Sequence, residues 1–203
     1  MGQAHSVVAG ISLRLPPGGL QGDGHNFFEF CQINRDYRIE RNAAGEILIM
    51  SPTGGETGHR NSDLVTDLTL WARRDQTGIV FDSSTGFILP NGATRSPDVS
   101  WVKRDRLAQL PPQQKKHFLP LAPDFLIELA SPSDSVAALQ DKMQEYLANG
   151  VHLAWLLVPE ERKAFVYQPK TAPLCLDNPA QLDGTPLLSG FVLDLQPIWT
   201  VNF

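Results

Sequence analysis

The segment PDFLIELASPSDS (residues 123–135) places one carboxylate inside an otherwise apolar run. Residues 125–130 are apolar except for Glu128, and a run of this kind bounded by turn-forming residues predicts a central strand. Ser133 or Asp134 is expected to cap the helix that follows. An ionised carboxylate in a buried strand is costly unless a cation or strong donors compensate it. Glu128 is therefore the first candidate for a functional residue.

Downstream of this strand, the sequence predicts a helix and a second buried strand. Apolar residues recur along one face of the helix, namely Val136, Leu139, Met143, Tyr146 and Leu147. Asn149-Gly150 ends the helix. LAWLLV (153–158) is wholly apolar, which is typical of a parallel strand buried on both faces. AFVYQ (164–168) is expected to pair back on it as an edge hairpin.

Upstream, the hydrophobic pattern alternates between helical and strand-like periods. The predicted elements are a short helix at 27–35, a hairpin at 37–50, a loop at 51–59, a helix from 61 to 74, and strands near 79–89 and 96–102. Prolines preclude a continuous helix in the connection 103–123, and a short strand is expected at 191–195.

Together these elements predict an α/β domain with one mixed central sheet. Its core is ordered helix, three strands, helix, strand, with a hairpin in front and a β tail behind. Residues 1–26 are Gly-rich and predict an irregular N-terminal arm, whereas 27–203 are expected to form a single domain.

Composition narrows the possible functions. The formal net charge of −5 weighs against a protein that coats nucleic acid, which needs many phosphate-neutralising cations. No stretch approaches the roughly 20 apolar residues of a membrane span, so no membrane association is expected. Cys31 and Cys175 are far apart and have no CxxC partner, which indicates reduced thiols and a cytoplasmic location.

Two further residues complete a candidate centre with Glu128. Asp98 opens a predicted strand in SPDVSWV (96–102), and Lys142 lies on the helix that follows Glu128. A divalent cation, Mg²⁺ or Mn²⁺, is the partner that Asp98 and Glu128 could share as metal ligands, with water and substrate phosphate completing its shell. Lys142 borders the buried helix face, roughly 40° from Tyr146, so its stem could reach Glu128 and its charge could stabilise a transition state.

These segments resemble the PD-(D/E)XK nuclease superfamily, which has a restriction-endonuclease-like core, and more narrowly the Uma-two family of bacterial endonucleases. The resemblance covers about residues 37–168 and the tail LSGFVLDLQPIW. The segments that carry it are MSPTGGETGH, RSPDVSWV, PDFLIELASPSDS, LQDKMQEYLANGV and AWLLVP. It implies a Mg-dependent endonuclease that acts on nucleic acid, with DNA as the expected substrate. In the superfamily pattern a lysine stands two residues after the glutamate, where this chain has Ala130. The resemblance implies that this lysine has migrated to Lys142.

Other residues are secondary candidates. His59 matches a histidine of related sequences and could contact metal or phosphate, although a surface role is the commoner one for such a residue. Lys103, Arg104 and Arg106 could contact phosphate near the cleft, or form a solvated loop. Asp124 follows Pro123 but suits a boundary between loop and strand better than a metal ligand.

Two other functions fit the sequence, and the second of them would use the same residues. The first is a catalytically silent member of the fold that binds nucleic acid or another protein. The second is a metal-dependent phosphodiesterase acting on a small nucleotide, which would need a closed pocket. A homodimer is expected because cutting both strands of a duplex takes two centres. The apolar tail after Tyr167, which looks too irregular to form its own core, suggests the interface.

Overall fold

The computed structural model describes residues 12–17, 19–20 and 24–202. Its helices are α1 (Gly24–Ile33), α2 (Gly55–Asp75), α3 (Arg104–Ala108), α4 (Val136–Ala148) and α5 (Gln196–Trp199). Its strands are β1 (Arg38–Arg41), β2 (Ile47–Met50), β3 (Gly78–Asp82), β4 (Phe87–Ile88), β5 (Thr94–Arg95), β6 (Val99–Lys103), β7 (Phe125–Leu129), β8 (Leu153–Val158), β9 (Lys163–Tyr167), β10 (Leu174–Asp177), β11 (Gln181–Asp183) and β12 (Val192–Asp194). None of the described helices combines the length and apolar composition needed to cross a membrane.

The core is a six-stranded sheet in the order β10-β9-β8-β7-β6-β3. β7 and β8 pair in parallel, whereas β6 is antiparallel to both of its neighbours. β7 and β8 are buried along their whole length, as their apolar sequences predict. The mixed central sheet expected from the sequence is confirmed.

Each face of the sheet carries its own core, because side chains alternate along the strands. α2 covers one face, together with the tail. That core includes Leu64, Leu68, Trp71, Trp101, Ile127, Trp155, Phe191 and Trp199. α4 covers the opposite face, where Met143 and Tyr146 pack with Leu126, Ala130 and Leu156. Glu128 follows Leu126 by two residues and therefore lies on the α4 face.

The N-terminal hairpin belongs to a second, four-stranded sheet in the order β2-β1-β5-β4. β1 and β2 form the predicted hairpin, and β1 also pairs with β5 through Arg41 and Thr94. β5 runs into β6 of the central sheet through Ser96-Pro97-Asp98. This connection brings the hairpin next to the start of β6.

Several predicted boundaries are wrong. α2 begins at Gly55, so most of the loop predicted at 51–59 is helical; Gly54, in extended conformation with ψ 166°, precedes its first turn. The cap of α4 is Ser135, whose side chain accepts a hydrogen bond from Ala138 N–H, and not Ser133 or Asp134. The strand predicted near 79–89 is interrupted at Asp82, whose carboxylate accepts hydrogen bonds from Ser84.

The two ends of the chain also differ from expectation. α1 begins at Gly24, inside the arm predicted for 1–26, and the rest of that arm lies mostly outside the described residues. The tail after Tyr167 packs on its own chain, since Leu188 and Phe191 are buried in the α2-side core. Leu188 and Phe191 are therefore not available for the expected dimer interface.

Gly78 permits the closest approach in the central sheet. A Cβ at this position would lie 2.1 Å from Cε2 of the buried Trp101 ring. Gly78→Ala should therefore lower the free energy of unfolding by about 2–3 kcal/mol, measured by chemical denaturation. Gly58→Ala is the matched control: no atom lies within 4 Å of its added Cβ, and a helical alanine should raise stability by about 1 kcal/mol. Equal stabilities for the two variants would contradict this packing.

Candidate active site

Asp98 and Glu128 lie side by side on neighbouring strands. Val99 pairs with Ile127, so Asp98 and Glu128 are the next positions in the same antiparallel register and face the same side of the sheet. Asp98 Oδ2 accepts a hydrogen bond from Leu129 N–H at 2.9 Å. Both residues are largely buried, 8% and 3% exposed. The structure thus places the two carboxylates next to each other on one face of the sheet.

Lys142 and Tyr146 reach Glu128 from α4. Lys142 Nζ lies 2.8 Å from Glu128 Oε1, and the Tyr146 hydroxyl donates a hydrogen bond to the same oxygen, also at 2.8 Å. Their spacing of four residues puts both side chains on one helix face. The Lys142 ammonium also lies 5.8 Å from the centre of the Tyr146 ring. The lysine therefore reaches the carboxylate centre from the helix.

Glu40 is a third buried carboxylate that the sequence did not reveal. Its Oε1 lies 3.2 Å from Lys142 Nζ and accepts a hydrogen bond from Ser96 N–H at 2.9 Å. Its Oε2 lies 3.1 Å from Arg95, which also pairs with Glu145 at 2.6 Å. RIER looks like an ordinary hairpin strand, and no local pattern distinguishes Glu40 from a solvated glutamate. Pairing of β1 with β5 is what brings Arg95 to it.

The same ammonium affects the two glutamates differently. Burial raises the pKa of Glu128 to about 7; Lys142 opposes this rise, and the charges of Asp98 and Glu40 add to it. Burial also acts against ionisation of Glu40, but Lys142, the Ser96 N–H and Arg95 together hold its pKa below the usual value. The two carboxylates raise the pKa of Lys142 despite its burial. The lysine therefore stays charged, and Glu128 is the carboxyl poised to titrate near neutrality.

Asp98, Glu128 and Lys142 open onto a cleft of about 800 Å³. One wall is formed by residues 51–57, where the N-terminus of α2 begins, and the other by 131–134 after β7. Arg38 lines the cleft beside the centre, with its guanidinium 3.5 Å from Asp98 Oδ1 and donating to the Ser96 carbonyl at 2.6 Å. The candidate centre is therefore accessible to a substrate.

The chain is similar to known proteins in both sequence and structure. Residues 25–196 match the model of the Uma2 family, described as "Putative restriction endonuclease". The chain belongs to the Uma2 family. No curated protein matches it in sequence.

Among solved structures, the chain is similar to a crystal structure described as "a putative nuclease belonging to DUF820" from Anabaena variabilis ATCC 29413. The two share 22% identity with a TM-score of 0.68, over 79% of this chain and 89% of that one. At this identity the likeness concerns the fold, and it confirms the nuclease-type α/β architecture expected from the sequence.

The secondary candidates lie away from the centre. His59 is on α2, with its Nε2 3.7 Å from Asp63, and does not line the cleft. Lys103 is the last residue of β6, about 17 Å from Asp98 at the usual rise of a strand, and Arg104 and Arg106 lie beyond it on α3. Arg106 lies 3.0 Å from the buried Asp124, which also accepts from Lys103 N–H. Asp124 thus joins the end of β6 to the start of β7, a boundary role as expected, and the basic residues are not brought to the cleft.

The donor set of the centre fits a cation with an incomplete protein shell. Among the described residues, no three His, Cys, Asp or Glu side chains form a metal-binding group. Within the part of the chain that the structure describes, both polar contacts of Glu128 end on Oε1, and Asp98 Oδ1 has one long contact, with Arg38. Each carboxylate thus keeps one oxygen that could bind a cation. Two such ligands, with water and phosphate, are what Mg²⁺ commonly uses.

The raised pKa of Glu128 predicts a pH-dependent stability. With its pKa at about 7 in the folded state and 4.5 in the unfolded chain, the folded protein binds more protons between these values, so stability should fall as pH rises. In EDTA, the wild type should lose on the order of 3 kcal/mol relative to Glu128→Gln between pH 4.5 and pH 7, measured by denaturant unfolding. Glu161→Gln, a substitution of an exposed glutamate, should follow the wild-type curve. Parallel curves for wild type and Glu128→Gln would contradict the burial of an ionisable Glu128.

Proposed function

We propose that this protein is a Mg²⁺- or Mn²⁺-dependent endonuclease that hydrolyses phosphodiester bonds in nucleic acid, with DNA as the substrate. The observation that carries the proposal is the convergence of Asp98, Glu128 and Lys142 on one face of the sheet, at an open cleft. Membership of a family described as restriction endonuclease supports the same reaction class.

The charge of the cleft supports a requirement for a divalent cation. Five acidic residues line it, Glu56, Asp98, Glu128, Asp134 and Glu160, against the three basic residues Arg38, Arg60 and Lys142. Without a cation, this surface would repel a phosphodiester. A divalent cation held by Asp98 and Glu128 would acidify a water and neutralise charge on the scissile phosphate.

The side chains of the centre have distinct roles in the proposed reaction. Lys142 orients the attacking water and stabilises the negative charge that develops on the phosphate oxygens. Tyr146 fixes the orientation of Glu128 through its hydroxyl. Arg38, whose side chain is 35% exposed beside Asp98, contacts a phosphate of the bound strand.

We keep a homodimer and a cytoplasmic location as parts of the proposal. Two-fold symmetry would supply two centres for the two strands of a duplex. The two unpaired cysteines, one of them exposed, suit a reducing compartment. Light scattering at micromolar concentration should give twice the mass of the chain, and a monomer mass would count against the dimer.

Lys142→Ala tests the catalytic assignment. Cleavage of DNA in Mg²⁺ should slow by about 100- to 1000-fold per folded molecule, because a charge that stabilises the transition state is lost. Cation affinity, measured by calorimetry, should stay the same or rise, since the lysine is not a ligand and its positive charge opposes cation binding. Lys163→Ala removes a surface lysine paired with Glu161 and should leave the rate unchanged.

Glu128→Gln and Asp98→Asn complete the test. Each should abolish both cleavage and cation binding, because each removes a proposed ligand charge. EDTA should stop the wild-type enzyme, and Mg²⁺ or Mn²⁺ should restore it. A wild-type protein that binds DNA but does not cleave it with any divalent cation would favour the silent binding module. A Lys142→Ala protein with wild-type rate would make Arg38, the cation beside Asp98, the next residue to test; His59, the alternative expected from the sequence, does not line the cleft.

A further inference from the structure

Glu40 has all the contacts of a side chain that holds others in place. It is 3% exposed, and both of its oxygens are engaged, Oε1 by Lys142 and Ser96 N–H and Oε2 by Arg95. A carboxylate whose oxygens already have cationic and N–H partners is poorly suited to bind a further cation. Glu40 is therefore better suited to hold Lys142 than to bind the metal ion.

Arg95 anchors Glu40 from the side opposite Lys142. Glu40 and Arg95 are cross-strand neighbours, because Arg41 pairs with Thr94 in the adjoining position. Arg95 in turn donates to Glu145 at 2.7 Å, and Glu145 lies on the same helix as Lys142. Glu40 is thus held by β5 and, through Arg95 and Glu145, by α4, independently of its contact with Lys142.

The Lys142 ammonium needs a second carboxylate partner when Glu128 also binds a metal ion. A lysine has a flexible four-carbon stem, and its ammonium takes its orientation from its partners. When Glu128 serves as a metal ligand, its charge is divided between the metal and the lysine, and the like charges of metal and ammonium repel. Glu128 alone would then hold the ammonium weakly. Glu40 lies 3.2 Å from the same ammonium and has no such competing role.

We propose that Glu40 is a positioning residue of the nuclease centre, which keeps the Lys142 ammonium in place while Glu128 is engaged with the cation. This inference rests on the proposed function. A lysine on strand β7 would be held close to Glu128 by the backbone of the strand. Lys142 lies on α4, and its contact with Glu40 takes over this role. Glu40 acts through Lys142 and does not touch the substrate.

The test compares Glu40→Gln, Glu40→Asp and a control, Asp124→Asn. Glu40→Gln keeps the shape of the side chain but removes its charge. Its kcat should fall about 10- to 100-fold with KM and cation affinity within about threefold, because only transition-state stabilisation is lost. Glu40→Asp retains the charge and should recover part of kcat. Asp124→Asn removes a fully buried carboxylate at the other end of the sheet and should lower stability without changing kcat per folded molecule.

A second readout does not depend on activity. In the Mg²⁺-loaded wild type without nucleic acid, the ¹⁵N signal of the Lys142 ammonium should report a rigid group, with its mobility clearly increased in Glu40→Gln and unchanged in Asp124→Asn. An unchanged ammonium and unchanged kcat in Glu40→Gln would overturn the positioning role, as would an equal loss of kcat in Asp124→Asn. If the wild type itself cleaves no nucleic acid, the proposed function fails, and the ammonium mobility alone decides whether Glu40 positions Lys142.

Discussion

The Lys142 ammonium lies between two buried carboxylates, and the architecture of the site depends on this contact. Glu40, Glu128 and Lys142 come from β1, β7 and α4, which belong to two sheets and a helix. Each charge alone would be costly to bury, and the contacts between these three elements help to compensate all three. Contacts between these buried charges, as well as apolar packing, therefore hold the hairpin, the central sheet and α4 in one arrangement.

The two glutamates show how surroundings divide roles between identical groups. Glu40 has Arg95 and a backbone N–H in addition to the lysine, so its carboxylate is held ionised. Glu128 faces Asp98 and Glu40 instead, and burial raises its pKa. Neighbouring carboxyl groups whose pKa values are shifted in opposite directions by their surroundings are typical of functional centres. These surroundings therefore keep Glu40 ionised and bring the pKa of Glu128 close to neutrality.

Ala130 lies in the core beneath α4. Ala130 occupies the place where the superfamily pattern has its lysine, and it is buried in the same core as Met143 and Tyr146. A lysine stem at that position would compete with these side chains for space. From α4, by contrast, Lys142 enters at the edge of the core with its ammonium next to Glu128. The helix α4 thus packs against the strand and also supplies the Lys142 ammonium.

The sequence by itself determined the features that are local. A carboxylate in an apolar strand singled out Glu128, and helical spacing placed Lys142 and Tyr146 on the face that meets it. The order of the predicted elements indicated one mixed central sheet. The tertiary structure decided the features that depend on distant pairing. Glu40 is buried because β1 pairs with β5, which brings Arg95 to it across 55 positions of the chain. The basic residues after β6 lie at the far end of the strand because β6 runs away from the centre. Periodicity reports which face of an element is apolar, but the choice of which charge is buried depends on the partner that folding brings to it.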